Sequence, residues 1–416
     1  MKTDNLPALP KGYTYRLDLA RSATPRDLKD RARHRWFYFP HSYSDELLNA
    51  ILDDWQLAHA SHLLDPFVGA GTTMVLARER GLSATGFDLS PLSVLVSNVK
   101  AKDYESDTAR RRLVEVVRLV KENQVVPEWD AERLKKALSE NERKAFWNLR
   151  EAILLQKPEA RDFLLVGLLR IVKDFSRAVA NGGWFRWVER IDQGENVLTS
   201  FERQVKRMLD DLANSPSLIN GQMIEAKEGD ARNLRVSDAT FDGLITSPPY
   251  PNRHDYSRIF HIELLIMGEK ESDVVNLRHR SLRSHVEAQK PNGSKASISG
   301  YEVPDNLKLV LEKLPPEAKE RIIPMLHGYF EDLYASLRVC YQALKSGARA
   351  AFVVGNVRYL GILVPVDEIL ADIGTQVGFS HERTWVIRLR GNSSQQMGRF
   401  GRVPSRESVV FLKKER

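Results

Sequence analysis

Apolar and polar positions follow two different periods along the chain, and the change between them marks its parts. Over residues 45–101, short apolar runs that end in an acidic residue alternate with stretches of helical period. Strand, glycine-rich turn, helix and strand is the order of parallel βαβ units, so this part is predicted to be α/β. The predicted elements are helices at 45–55, 72–80 and 90–100 and strands at 62–65 and 83–88.

A second part, residues 106–220, has a helical period almost throughout. Apolar side chains such as Leu113 and Val116 recur at helical spacing, and residues 163–172 are almost wholly apolar. We therefore predict an all-helical insertion into the α/β domain. Its irregular feature is the sequence Asn-Gly-Gly-Trp-Phe-Arg-Trp at 181–187, for which two interpretations stay open: a plug between helices, or a loop that contacts a base or another ligand.

The α/β pattern resumes in residues 221–416. Within this part, residues 270–303 are polar and basic, a composition typical of a loop, and 270–325 is the candidate target-recognition region. Residues 1–105 are predicted to hold an N-terminal arm and the first part of the α/β domain. The basic cluster at 26–35 is interpreted either as a solvated lead-in or as an arm that contacts phosphates. The predicted elements of the last part are strands at 223–226 and 241–246, helices at 259–267 and 329–344, a strand at 349–354, a helix at 366–377, and a closing hairpin of strands at 382–390 and 408–413.

Composition narrows the class of protein. The 416 residues include 62 Lys and Arg against 55 Asp and Glu, a formal net charge of +7. That mild excess suits a protein that meets a polyanion, but not a disordered basic protein. The single cysteine, Cys340, excludes a disulfide framework and a Cys-rich zinc site, and we assign no metal ligands. No apolar run reaches the roughly 18 residues of a membrane helix and the N-terminus has no secretory apolar core, so a cytoplasmic protein without membrane contact is predicted.

The first motif with chemical meaning follows the predicted strand at 62–65. It is Asp-Pro-Phe-Val-Gly-Ala-Gly-Thr-Thr at 65–73, with two glycines between a strand end and a helix start, where backbone can approach a ligand closely. An acid before the loop is unfavourable for a pyrophosphate but suits a cation. Asp88 ends the next strand, where a carboxylate can accept both hydroxyls of a ribose. These features together suit S-adenosylmethionine, which carries a sulfonium, an ammonium and a ribose.

The second motif is Thr-Ser-Pro-Pro-Tyr at 246–250, at the end of an apolar strand. Two successive prolines fix φ and remove two amide donors, and the preceding carbonyls can accept hydrogen bonds from an exocyclic amino group. Ser247 adds a hydroxyl acceptor, and Tyr250 can stack on a planar base. A Pro-Pro turn after a strand also occurs as a purely structural feature, so the motif gains its meaning from its combination with the first one.

The two motifs together resemble those of the amino-group DNA methyltransferases of bacterial modification systems, and the Ser-Pro-Pro-Tyr form is most like the members that methylate N4 of cytosine. The resemblance implies a Rossmann-like, S-adenosylmethionine-dependent methyltransferase fold: a mostly parallel seven-stranded sheet with a C-terminal antiparallel hairpin, here with the helical insertion. It implies that Asp88 holds the ribose and Asp230 the adenine of the cofactor. The implied cofactor-binding residues are Phe39, Pro40, Asp65, Pro66, Phe67, Gly69, Gly71, Thr72, Thr73, Asp88, Leu89, Asp230 and Ala231. The implied catalytic residues are Ser247, Pro248, Pro249 and Tyr250.

The same resemblance implies a reaction and partners. The substrate is double-stranded DNA, the target base is flipped out of the duplex, and the methyl group passes directly to an exocyclic amine. A cognate restriction endonuclease that acts separately is a candidate partner. The alternatives are an N6-adenine DNA methyltransferase, an RNA methyltransferase, and a binding module that keeps the fold without turnover. A cytosine-C5 enzyme is excluded, because Cys340 follows Val339 and not a proline.

Two segments compete for reading the DNA sequence. Residues 270–303 are favoured over the helical insertion because they are dense in side chains that reach base edges and phosphates. The insertion is expected to clamp the duplex from outside. The candidate DNA-binding residues are Arg278, Arg280 and Arg283 in the favoured segment and Arg186 in the insertion.

Overall fold

The computed structural model describes residues 6–40, 42–122, 131–181, 184–189, 196–215, 217–219, 221–252, 255–288, 298–391 and 404–415. The strands are β1 Tyr13–Tyr15, β2 His62–Asp65, β3 Ser83–Asp88, β4 Ala178–Asn181, β5 Trp184–Trp187, β6 Ile224–Glu228, β7 Phe241–Thr246, β8 Leu344–Gly355, β9 Val357–Tyr359, β10 Ile362–Val364, β11 Ser380–Arg390 and β12 Ser405–Lys413. The helices are α1 Asp45–Trp55, α2 Thr72–Glu79, α3 Pro91–Ala101, α4 Ser106–Glu122, α5 Glu132–Ala137, α6 Glu140–Leu154, α7 Pro158–Phe175, α8 Val197–Ala213, α9 Tyr256–Ile259, α10 His261–Met267, α11 Glu271–Arg280, α12 Asp305–Lys313, α13 Ile322–Ala343 and α14 Val366–Val377.

An eight-stranded sheet forms the centre of the α/β domain, in the order β1-β11-β12-β8-β7-β2-β3-β6. The neighbours from β6 to β8 are parallel, and β12 is antiparallel to both β8 and β11. This arrangement confirms the Rossmann-like fold with its closing antiparallel hairpin. The sequence predicts seven strands, whereas the structure has an eighth, β1, which pairs in parallel with β11 at the edge of the sheet. Its three residues are too few to produce a recognisable alternation.

Helices cover both faces of the sheet. Helices α1 and α2 pack on one face through side chains such as Ile51 and Met74, and helices α13 and α14 pack on the other through side chains such as Leu333. Leu63 and Leu64 of β2 belong to the two different clusters, because successive side chains of a strand point to opposite faces. In the described part of the chain, no helix combines the length and the apolar character needed to cross a bilayer.

The segment between β3 and β6 is mainly helical. Helices α4, α6, α7 and α8 pack around a core that includes Phe146, Phe163 and Phe201. The prediction of an all-helical insertion is wrong at one place, because β4 and β5 form an antiparallel hairpin in which Val179 lies opposite Arg186. Three of the four residues of β5 are aromatic, and aromatic residues favour strands.

The aromatic turn at 181–187 coincides with this hairpin. Of its three aromatic side chains, the structure describes that of Trp187. It is 37% exposed, and the Lys136 Nζ lies 4.4 Å from the centre of its ring. The side chains of Trp184 and Phe185, on which the plug interpretation also depends, lie outside the described residues.

The polar region 270–303 is not a loop throughout. Residues 271–280 form helix α11, which buries Val274 and Leu277. Its first turn carries acidic residues and its last turn carries basic ones, an arrangement that the helix dipole stabilises. The loop prediction is therefore wrong for these ten residues. The two apolar side chains that pack the helix are outnumbered by polar and charged ones, so the composition resembles that of a loop. Residues 289–297 lie outside the described part of the chain.

The basic N-terminal cluster at 26–35 is anchored to the folded domains. Arg35 pairs with Asp211 on α8, and the indole N–H of the neighbouring Trp36 donates to the same carboxylate at 2.8 Å. Arg33 is buried and donates to the carbonyl oxygen of Lys100 at 2.8 Å. These two arginines are thus engaged within the protein, in contrast to both a solvated lead-in and a phosphate-contacting arm.

Candidate active site

The candidate site is a cleft at the carboxyl ends of β2, β3 and β7, where ligands of open α/β sheets bind. Its volume is about 1120 Å³, counting the space that opens to solvent. Asp88 from the end of β3 and Ser247 from the residue after β7 both line it. The structure thus brings the two sequence motifs to one cavity, as the parallel order of their strands requires.

Many of the predicted cofactor residues line this cleft: Phe39, Pro66, Phe67, Gly69, Thr72, Asp88, Leu89 and Ala231. Others lie beneath or beside its wall. Thr73 is buried and shares a hydrogen bond of 2.9 Å with the Tyr43 hydroxyl, while Pro40 is exposed and does not line the cleft.

Asp230 lies beside the cleft and does not line it. Its two carboxylate oxygens accept hydrogen bonds from the Arg232 side chain at 2.9 and 2.6 Å. The contact of Asp230 with the cofactor adenine stays a prediction. A guanidinium two residues away offers a pair of N–H donors, and it captures the carboxylate; the neighbouring Gly229 and Ala231 line the cleft instead.

The two glycines of the first motif adopt backbone conformations that other residues rarely adopt. Gly69 has φ of 47° and Gly71 has φ of 76°, both in the left-handed region. A Cβ atom on Gly71 would lie 2.8 Å from the Cα of Ser97, which is too close for two carbon atoms. Gly71 therefore allows α3 to pack directly under the turn, while Gly69 faces the cleft.

Asp88 holds the turn in place from the neighbouring strand. Its carboxylate accepts hydrogen bonds from the Gly69 amide at 3.0 Å and from the Ser90 amide at 2.9 Å. Burial raises the pKa of Asp88 to about 6, although these amide donors act in the opposite direction. The carboxylate is therefore ionised at neutral pH and becomes protonated in mildly acidic solution.

Asp65 lies under the cleft, not in its wall. It is 1% exposed and accepts hydrogen bonds from the Thr246 hydroxyl at 2.6 Å and from the Phe67 amide at 3.1 Å. Burial raises the pKa of Asp65 to about 6 against the effect of these donors. The role that the structure gives Asp65 is to join β2 to β7, the strands that carry the two motifs.

Lys100 is a buried positioning residue that the sequence did not reveal. Its Nζ donates to the carbonyl oxygen of Phe37 at 2.8 Å and to that of Ala70 at 2.9 Å. It thus links the segment before α1 to the turn of the first motif. Burial lowers the pKa of Lys100 to about 7. Nothing in the helical pattern of α3 distinguishes this lysine from an exposed one.

Aromatic rings form the apolar part of the cleft. The ring centres of Phe39 and Phe260 are 4.4 Å apart, and Phe37 packs against both rings. The Lys173 Nζ of the insertion lies 4.1 Å from the centre of the Phe260 ring. The helical insertion therefore supports one wall of the cleft, which its place in the sequence did not predict.

The catalytic motif is partly turned into the cleft. Ser247 and Pro249 line it, while Pro248 is buried. Tyr250 is half-buried and does not line the cleft; a Cβ atom on Gly355 would lie 2.9 Å from its ring, so the ring packs directly on the β8 backbone. The prediction that Tyr250 stacks on a base stays a prediction.

Two of the four predicted DNA-binding arginines are engaged elsewhere. Arg278 is buried, with its Nε 2.5 Å from a carboxylate oxygen of Asp255, and Arg283 binds Asp332 and Glu331 with its side chain. Both are therefore directed to internal carboxylates and not to DNA, a correction that sequence composition alone could not supply. The other two, Arg186 on β5 and Arg280 at the end of α11, are exposed.

Part of the cleft wall was missed by sequence reasoning. It comes from α9, from the end of α11 and from the residues that follow α11. These residues are serines, leucines and one histidine, which form no recognisable sequence motif. They are Ser257, Leu277, Ser281, Leu282, Ser284 and His285. Among the described residues, no group of three or more His, Cys, Asp and Glu side chains could hold a metal ion.

Cys340 does not line the cleft. It is on α13, fully buried, and burial raises the pKa of its thiol to about 12. The thiol is therefore protonated at neutral pH and has no access to the cleft. This agrees with the exclusion of a cysteine nucleophile.

The curated proteins that this chain is similar to are type II methyltransferases. The chain is 28% identical to the type II methyltransferase M.BsoBI of Geobacillus stearothermophilus, over 93% of this chain and 86% of the relative. It is 27% identical to M.AvaI of Nostoc, over 93% and 87% of the two chains, and 22% identical to M.MvaI of Kocuria varians, over 91% and 90%. No protein-family model matches the chain.

Solved structures show lower similarity. A SAM-dependent methyltransferase from Methanosarcina mazei aligns with 10% identity and a TM-score of 0.31, over 88% of this chain and 97% of that one. A geranyl diphosphate methyltransferase aligns with 7% identity and a TM-score of 0.33, over 95% and 97%. At such scores the fold assignment rests on the strand order described above.

Strand order, cleft and full-length relatives together define a methyltransferase of the Rossmann-like class. Within that class, the chain is similar over most of its length to bacterial type II methyltransferases, and its cofactor is S-adenosylmethionine.

Proposed function

We propose that this protein is a site-specific DNA methyltransferase that transfers a methyl group from S-adenosylmethionine to N4 of a cytosine in duplex DNA. We expect it to act in the cytoplasm as part of a restriction-modification system. The observation that carries the proposal is that Asp88 of the cofactor motif and Ser247 of the catalytic motif line one cleft. The similarity to type II methyltransferases over more than nine-tenths of the chain supports the same reaction class.

The cleft fits S-adenosylmethionine. Asp88 lines the cleft, where its carboxylate is in position to accept hydrogen bonds from ribose hydroxyls. Gly69 allows close approach of the backbone, and Phe39 and Phe67 provide apolar surface. When bound, S-adenosylmethionine supplies an electrophilic methyl group on a sulfonium. The residues that would hold it are Phe39, Pro66, Phe67, Gly69, Thr72, Asp88, Leu89 and Ala231.

The catalytic motif would activate the amine. The exocyclic nitrogen of cytosine is conjugated with the ring and is a weak nucleophile. If Ser247 Oγ and the backbone carbonyl beside Pro248 accept its hydrogens, the nitrogen becomes more pyramidal and its lone pair is exposed. With S-adenosylmethionine bound, methyl transfer to this nitrogen would break the carbon–sulfur bond of the cofactor, and the amine would lose a proton to solvent. No covalent enzyme intermediate is required.

The target base must leave the duplex to enter this cleft. We expect Tyr250 to stack on the flipped base, once its ring moves from its contact with Gly355. For the duplex itself, the exposed Arg186 and Arg280 are the retained candidates. Strand β5, which carries Arg186, lies against α9, and α9 closely follows the catalytic motif.

The class of substrate can be tested with purified protein and S-adenosylmethionine labelled in its methyl group. Label should enter duplex DNA of mixed sequence and should not enter RNA of the same sequence. The Ser247→Ala variant serves as the matched control for contaminating activity. Label in RNA but not in DNA, or cofactor binding with no transfer to either nucleic acid, would overturn the proposed function.

A further inference from the structure

The cleft wall contributed by the segment after α11 contains a histidine with no role in the steps above. His285 lines the cleft and is 2% exposed. Its Nε2 atom is buried and has no hydrogen-bond partner among the described residues, while its Nδ1 atom lies 3.5 Å from the Ser284 hydroxyl. Leaving a buried polar atom unsatisfied costs about 1–3 kcal/mol, so a partner for this atom is expected in the liganded enzyme.

The charged groups that act on His285 belong to the part of the chain that follows the catalytic motif. They are Asp255 directly before α9, Arg258 on α9, Arg278 on α11 and Glu287 in the turn after α11. Asp255 is itself satisfied, since it accepts a hydrogen bond of 2.5 Å from Ser257 and pairs with Arg278. Burial lowers the pKa of His285, so its imidazole is neutral at pH 7.

A neutral imidazole carries one N–H group, which can donate a hydrogen bond to the part of the base that the catalytic motif does not bind. Ser247 and the carbonyl beside Pro248 are acceptors, and they match the amine hydrogens of cytosine. The ring nitrogen N3 and the carbonyl oxygen O2 of cytosine are acceptors and need a donor. Among the described residues that line the cleft, His285 is the one side chain with an N–H group; the other polar side chains are hydroxyls and the Asp88 carboxylate.

We propose that His285 is a base-binding residue whose Nε2–H donates to the ring nitrogen N3 or the carbonyl oxygen O2 of the flipped cytosine. This inference rests on the proposed function, because it takes the base as occupant of this part of the cleft. The contact would orient the ring so that N4 meets Ser247. It would also complete the hydrogen bonding of a buried atom when the base enters.

A matched pair of variants tests this contact. His285→Leu removes the donor at similar volume, and His285→Gln keeps an N–H donor in the same place. We expect His285→Leu to lower kcat/KM for duplex DNA about tenfold, which is the loss of one hydrogen bond of typical strength. His285→Gln should restore part of that loss, and the affinity for S-adenosylmethionine, measured by calorimetry, should stay unchanged in both. His279→Leu, on the exposed side of α11, is the control and should leave kcat/KM unchanged.

Base analogues give an independent arm. DNA with 3-deazacytosine at the target lacks N3, and DNA with the C-nucleoside of 2-aminopyridine there lacks O2. For one of the two analogues, the loss of kcat/KM in the wild type should disappear in His285→Leu, because both changes remove the same bond. Fully additive losses with both analogues, or weaker cofactor binding in His285→Leu, would overturn the inference. Failure of the wild type to methylate any DNA would instead overturn the proposed function.

Discussion

The Thr246 hydroxyl donates a hydrogen bond of 2.6 Å to the carboxylate of Asp65, and both side chains are buried. Thr246 is the last residue of β7, directly before the catalytic motif, and Asp65 is the last residue of β2, directly before the cofactor turn. The two strands are adjacent and parallel. This bond therefore joins the two strand ends from which the two motifs begin.

Replacing Thr246 tests this link. Thr246→Val should lower the free energy of unfolding by about 1–3 kcal/mol, because the Asp65 carboxylate loses a donor at a buried site. Thr246→Ser keeps the hydroxyl and should be close to wild type. The measurement is denaturant unfolding, with methyl transfer assayed in parallel. Equal stability of the valine and serine variants would show that the bond contributes nothing.

Ser247→Ala should reduce kcat by on the order of 10²-fold, the effect of losing one group that acts in the transition state. The residue lines the cleft but is not among the residues that would hold the cofactor. Calorimetric titration should therefore give an unchanged affinity for S-adenosylmethionine. Unchanged turnover would remove Ser247 from the catalytic machinery.

Cofactor affinity should depend on pH through Asp88. Because its pKa is raised to about 6, the carboxylate gains a proton as pH falls from 7.5 to 5 and loses acceptor capacity for the ribose hydroxyls. The dissociation constant should therefore rise over this range in the wild type. Asp88→Asn should weaken binding at pH 7.5 by about 1–3 kcal/mol and should flatten this dependence. An equally steep dependence in the asparagine variant would assign the titration to another group.

The same shift has a consequence for folding. The pKa of Asp88 is about 6 in the folded protein and 3.8 in the unfolded chain. The folded protein therefore binds this proton more tightly. The contribution of this group to the free energy of unfolding should therefore fall as pH rises between these values. Asp65 has the same direction of shift and should act alike.

Lys100→Met should loosen the cofactor turn. The change removes the two donors that bind the carbonyls of Phe37 and Ala70 and leaves both oxygens without these partners. We expect weaker binding of S-adenosylmethionine, measured by calorimetry, and a lower melting temperature. Lys102→Met, at an exposed position two residues later, is the matched control. If both variants bind the cofactor like the wild type, Lys100 does not position the turn.

The arginines should separate into two groups. Arg186→Ala and Arg280→Ala should each weaken DNA binding and reduce the slope of log affinity against log salt by about one, as expected for a lost phosphate contact. Arg283→Ala should instead lower the melting temperature, because it leaves Asp332 and Glu331 without their shared partner. Binding titrations at several salt concentrations measure the first effect. A salt slope that changes only in Arg283→Ala would reverse the assignment.

The sequence allowed the fold and the centre of the site to be predicted because both depend on local patterns. Apolar strands that end in Asp65 and Asp88, and a Pro-Pro motif after β7, are visible within a few residues. The roles of Lys100 and His285 depend on what packs against them, which no local period records. Whether an arginine is available to bind DNA depends on whether a carboxylate elsewhere in the chain already binds it. For Arg283 this carboxylate is that of Asp332 on α13.

Elements with little periodicity could not be predicted from the sequence either. Strand β1 has three residues, and its pairing with β11 joins opposite ends of the chain. In α11, the two buried apolar side chains Val274 and Leu277 are surrounded by charges, which gives the segment the composition of a loop. In both cases tertiary contacts, and not local preference, decide the structure.

The most direct test of the central claim is the identity of the methylated base in DNA from cells that express this protein. Nucleoside mass spectrometry combined with single-molecule sequencing reports the base and its sequence context together. The account predicts N4-methylcytosine at one defined sequence, and its absence in cells that express Ser247→Ala. N6-methyladenine in place of N4-methylcytosine, or no modified base above the level of the Ser247→Ala cells, would contradict it.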